Sequence, residues 1–153
     1  MQRETATGPL VPGTLLCAIG NSGKHLWTLH GGFDLFLYEH AVAAIRVTAK
    51  ETSRGLSGTA SPMRDAQRRR LRIKGRRPTE ELLGAHPRNR LVPRGMIKEA
   101  RLRRGLISSS LTLILVDGEV LRWVWSREKL SGAAFEQVEA ALRRIVGSAL
   151  LVR

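Results

Sequence analysis

A chain of 153 residues, 42% of them hydrophobic, holds enough apolar material for one core of moderate size. Its single cysteine, Cys17, excludes a disulfide within these residues, and no apolar run reaches the roughly 18 to 20 residues a membrane-spanning helix needs. The formal charge is +13, with 21 arginines against 5 lysines, a bias that follows genome composition as readily as arginine chemistry. Its placement says more: Arg64 to Arg104 holds 15 Arg or Lys against four acids, while the rest, with 11 positive and nine negative residues, is nearly neutral.

Residues 1 to 13 combine Gly, Pro and Thr without an apolar period and are expected to form a flexible lead. The mildly apolar stretch Leu10 to Gly20 is broken by Pro12 and Gly13, which spoils a signal-peptide core, so the expected location is cytoplasmic, with peripheral association at a membrane left open. Thr14 to Ile19 reads as a strand ending in a turn at Gly20-Asn21-Ser22-Gly23, and Lys24 to His30 as a second strand. That turn is no phosphate loop, because two residues separate its glycines where four are needed and His25 follows Lys24. Leu35 to Tyr38 and Ala41 to Val47, separated by Glu39-His40, form a hairpin pattern.

Lys50 to Pro62 is rich in Ser, Gly and Thr and reads as loop. From Pro62 to Lys74 helix formers dominate, with too few apolar residues for a proper buried stripe. Pro78 to Gly84 carries acids in its first turn and a glycine stop, the pattern of one short helix. His86 to Arg90 is linker, and Pro93 disfavours a central strand.

Ile97 to Arg104 alternates as a strand. Beyond Gly105 lies the clearest hairpin: Leu111, Leu113 and Leu115 alternate up to Asp117-Gly118, and Leu121, Trp123 and Trp125 alternate after it. Asp-Gly at the tip predicts a two-residue turn with φ above zero at both positions, and places three leucines and two tryptophans on one face as core. Ser131 is positioned to cap a final helix with Phe135, Val138, Leu142, Ile145, Val146 and Ala149 on one side. Glu136 and Glu139 fall early in it and Arg143 and Arg144 late, which suits the helix dipole.

The Leu-Phe-Leu-Tyr-x-x-Ala-Val-x-x-Ile segment at Leu35 to Ile45, the Ile97-x-x-Ala-Arg-Leu segment and the Leu111 to Gly118 hairpin with its closing helix resemble the bacterial pleckstrin-homology-like (PH-like) domains. The resemblance covers about 14–50 and 90–150, leaving 51–89 as a basic loop or helical insertion within one domain, 14–150. It implies an α+β fold, an antiparallel β-sandwich or bent barrel closed by a C-terminal helix. It also implies a non-enzymatic binding module without a cofactor. The family's inositide-binding members carry paired basic residues on their first two strands; here Lys24 stands alone there and Arg46 has no basic partner two residues away, so that site is not expected.

The sharpest local feature is Arg68-Arg69-Arg70-x-Arg72-x-Lys74-x-Arg76-Arg77, which can bind phosphates by charge-assisted hydrogen bonds and counterion release, or stand as a solvated insertion. Arg101, Arg103 and Arg104, on the outward side of an edge strand, can extend it or merely discourage aggregation. No aromatic lies between Arg46 and Arg122, which removes base stacking within the run. The expected partner is an anionic membrane surface or its lipid headgroups; a nucleic-acid backbone and a protein partner are the alternatives. His25, His30, His40 and His86 are too dispersed for zinc, Cys17 reads as packing, Ser108-Ser109-Ser110 lacks a nucleophile elbow, and no Ser-His-Asp set stands out.

Overall fold

In Phe33-Asp34-Leu35-Phe36-Leu37-Tyr38, every second residue points the same way, so Leu35 and Leu37 share one face and Asp34, Phe36 and Tyr38 the other. All five are buried, which requires a covering layer on each side of the strand. The computed structural model describes residues 11–23, 32–48, 51, 60–126 and 128–153, with only the backbone of 60–63, 129 and 130, and it supplies both layers.

The strands are β1 (Leu15–Ser22), β2 (Phe33–Tyr38), β3 (Ala41–Arg46), β4 (Arg90–Pro93), β5 (Ile97–Arg104), β6 (Ser108–Leu115), β7 (Val120–Ser126) and β8 (Leu150–Val152). The helices are α1 (Ala60–Gly75), α2 (Thr79–Gly84), α3 (Glu128–Ser131) and α4 (Phe135–Val146). One sheet runs β1-β2-β3-β4 and the other β7-β6-β5-β8; all described pairs are antiparallel except β5 with β8. The fold is α+β, with two four-stranded sheets and a C-terminal helix. The expected bent barrel is not closed among the described residues: β4 and β5 belong to different sheets, and β1 meets β7 only through the Gly23–Val124 bridge, bonded in both directions at 2.9 and 2.7 Å.

The inner faces of the two sheets meet in the main core, where Leu35, Leu37 and Val42 pack with Leu102, Leu111, Leu113 and Leu115. Trp123 and Trp125 lie in it as the alternation predicts, and α4 closes it with Val138, Ala141, Leu142 and Ile145. A second cluster lies on the outer face of the first sheet: Phe36, Tyr38, Ala43 and Ile45, covered by Leu71 of α1 and Leu82 of α2. Full burial of such side chains stabilises by about 1.5–3 kcal/mol each. Helix α1 touches down at Gly75, where a Cβ would lie 2.8 Å from Leu15 Cδ2 and 3.1 Å from Phe36 Cε1. Asn89 ties α2 to the sheet, accepting from Arg46 N at 2.7 Å and donating to Leu82 O at 2.7 Å.

Several expectations change in detail. The turn foreseen at Gly20 to Gly23 is instead the continuation of β1, with a register shift between Ile19 and Ser22 and Asn21 at φ 56°. The β6–β7 tip has positive φ only at Gly118. Gly118 N donates to Leu115 O at 2.9 Å and Asp117 Oδ1 accepts from Glu119 N at 2.9 Å, so a wider turn with a glycine bulge replaces the two-residue one. Ser131 ends α3 instead of capping α4, which starts at Phe135 after Ala134. Strand β5 is flanked by β6 and β8 and is not an edge. The expected strand Lys24 to His30 lies outside the described residues, as do His25 and His30.

Candidate functional site

The basic run up to Lys74 folds as the last turns of α1, with Arg76 and Arg77 in the turn beyond it, and the helical period sorts the helical residues onto different faces. Gln67, Leu71 and Lys74, spaced four and three apart, are buried against the sheet with Arg70 at their side. Only one of these is apolar, which is why no conventional stripe shows in the sequence. The sheet answers with an acid where an apolar side chain would normally sit.

That acid is Asp34 of β2, whose side chain is 0% exposed. Arg70 grips it through two parallel bonds, Nη1 to Oδ2 at 2.7 Å and Nη2 to Oδ1 at 2.9 Å. Lys74 Nζ donates to Asp34 Oδ2 at 2.8 Å, to Arg46 O at 3.2 Å and to Glu51 Oε1 at 3.0 Å. Glu51 also pairs with Arg70, and Asn21 N donates to Asp34 Oδ1 at 3.1 Å, holding the β1 irregularity in place. Burial alone would raise the Asp34 carboxyl, but Arg70 and then Lys74 outweigh it and hold the group below its ordinary range. Glu51 is likewise lowered, burial being outweighed by Lys74. Two carboxylates and two cations make the cluster neutral, so Arg70 and Lys74 have no charge left over for an external anion.

The remaining candidates divide in the same way. Arg68 pairs with Glu128 and donates to Gly132 O at 3.2 Å, Arg77 pairs with Glu81, Arg101 with Glu99, and Arg104 with Glu136 at 3.3 Å. Arg104 also lies 4.9 Å above the Phe135 ring. Arg69, Arg72, Arg76 and Arg103 form no ion pair among the described residues. Arg69 and Arg72 are exposed on one side of α1 with Ile73, which is 60% exposed, and Arg76 is exposed in the turn that follows the helix. Arg101 and Arg103 sit on the outward side of the second sheet, across the sandwich from α1, so the structure does not gather all ten residues into one patch.

Beside α1 lies a cavity of about 650 Å³ between that helix and α4, bordered by Leu15 to Ala18 of β1 and by Arg68, Arg72 and Arg144. Cys17 faces it, and burial pushes its thiol up to about 11, which makes it a poor nucleophile at neutral pH. Among the described residues no three of His, Cys, Asp and Glu gather as metal ligands, and no helix is long and apolar enough to cross a membrane.

Sequence reading missed Asp34 and Glu51. A signal existed for the first: an acid alternating with Phe36 and Tyr38 in a strand apolar on both faces demands a buried cation, and Arg70 and Lys74 stand one helical turn apart. No protein-family model matches the chain, and no curated protein matches its sequence.

Proposed function

We propose that the chain is a non-enzymatic PH-like binding module that docks on anionic membrane surfaces through the outward stripe of α1 and the turn that follows it. The two sheets, antiparallel but for the β5–β8 pair, and the closing helix support the PH-like part of this reading. The observation that carries the rest is the sorting of the basic run. Arg70 and Lys74 are neutralised inside, whereas Arg69, Arg72 and Arg76 remain outside without counter-charges among the described residues. Ile73, exposed in their midst, favours lipid over nucleic acid, because an apolar side chain among arginines suits the headgroup boundary and adds nothing to phosphate-backbone binding.

The test is binding to anionic and neutral vesicles and to duplex DNA across a salt series. Each basic residue near an anionic leaflet contributes about 1 kcal/mol, so Arg69→Gln with Arg76→Gln should weaken binding to anionic vesicles about 30-fold. Adding Ile73→Ser should weaken it further while leaving neutral vesicles unbound. Tight duplex binding without vesicle binding would transfer the stripe to nucleic acid. Vesicle binding unchanged by all three substitutions would end the proposal.

A further inference from the structure

The cavity between α1 and α4 touches Leu15, Leu16, Cys17 and Ala18, four consecutive residues of β1. Leu15 and Ala18 pack with the outer cluster and Leu16 and Cys17 with the inner one, so a cavity that touches all four meets the strand along its edge. Among the described residues β1 is the edge of its sheet, bonded to β2 on one side only. On the other side, Gly23 alone takes a backbone partner, Val124; Leu16 to Ala18 make no backbone bond there among the described residues. An unpaired strand edge between two helices is a slot for one further strand.

The lining sets the chemistry of what enters. Three arginines border the cavity, Arg68, Arg72 and Arg144, and no carboxylate does. Arg72 has no ion pair among the described residues, and the other two are held by partly exposed pairs, with Glu128 and with Glu39 at 3.2 Å. Solvent screening keeps such pairs weak, so an incoming carboxylate can replace either partner with little loss. Between the arginines the walls are small and apolar, Ala140, Ala141 and Gly132 among them, which leaves room for alternate side chains of an extended chain.

We infer that this cleft binds an extended acidic peptide of a partner protein, added to β1 as a fifth strand of the first sheet. The main chain would be held by the open edge of Leu15 to Ala18, and its carboxylates by Arg68, Arg72 and Arg144. The site is separate from the outward stripe of α1 except for Arg72, which borders both. A molecule with both sites links an anionic surface to an acidic protein segment.

The probe is a synthetic peptide of about ten residues alternating glutamate and valine, with the lysine–valine peptide of equal length as control. Backbone amide spectra and hydrogen exchange are followed in the intact chain. The acidic peptide should slow exchange of amides within Leu15 to Ala18 and shift resonances of Gln137 and Ala140, and the lysine peptide should do neither. Ala140→Trp, at an exposed position bordering the cavity, should weaken peptide binding about tenfold or more by filling the slot, with anionic vesicle binding unchanged. Arg68→Gln with Arg144→Gln should weaken it as well and reduce its salt dependence. Equal binding of both peptides, no protection along β1, or binding indifferent to Ala140→Trp would overturn the inference. So would oleate or anionic vesicles occupying the cleft while the acidic peptide stays out.

Discussion

The two faces of the first sheet are covered by different means. On the inner face, Leu35, Leu37 and Val42 meet leucines of the second sheet and the stripe of α4, and contact there is almost wholly apolar. On the outer face, Phe36, Tyr38 and Ile45 meet Leu71 from α1 and Leu82 and Leu83 from α2, beside the ion cluster of Asp34, Glu51, Arg70 and Lys74. An apolar interface tolerates small shifts, since dispersion and burial depend weakly on angle. A buried ion cluster does not: its desolvation cost is offset only while both partners hold their geometry. The inner layer supplies stability, and the outer layer fixes where α1 sits and therefore which of its arginines face out.

The largest effect expected is at Asp34. Asp34→Ala leaves Arg70 and Lys74 buried beside Glu51 alone and should cost about 3–5 kcal/mol, read by urea unfolding. Hydrogen exchange should show α1 amides opening more than those of β6; equal loosening of both would collapse the distinction between layers. Leu113→Ala, in the inner core, should cost about 3 kcal/mol and loosen β6 and α1 together. Acid comes next. Asp34 and Glu51 titrate below their unfolded values of about 3.9 and 4.3, so their contribution is complete above those values and is lost as pH falls through the lower folded ones. Release of α1 below about pH 4, ahead of the inner core, should be seen by circular dichroism and exchange. The smallest effect is Arg101→Gln: its pair with Glu99 is more than half exposed on the arginine side, and unfolding should move by about 0.5 kcal/mol or less.

The inner layer was legible in the sequence because it obeys period two: Leu111, Leu113, Leu115, Trp123 and Trp125 alternate, and register follows, with Leu111 opposite Trp123. The final helix was legible from its spacing, though Ser131 gave a false start because the short α3 intervenes. The outer layer was not. Its helix carries Arg70 and Lys74 where a buried stripe would carry leucines, and nothing local shows that both cations meet Asp34, 36 and 40 residues away from them. The same gap hid the division of the basic run into an inner and an outer half, because charge counts do not know which face a residue takes. Strand β8 is three residues long and pairs in parallel with β5, too short to leave a periodic signal.

The bridge between Gly23 and Val124 has a consequence for folding kinetics. It joins residues roughly a hundred positions apart and depends on both hairpins being in register, so its loop-closure entropy is met only after most other contacts exist. A contact of that kind is expected to form after the rate-limiting step. Substituting Gly23 by proline, which removes the donor to Val124, should therefore quicken unfolding and leave the refolding rate nearly unchanged, a result stopped-flow mixing can read directly.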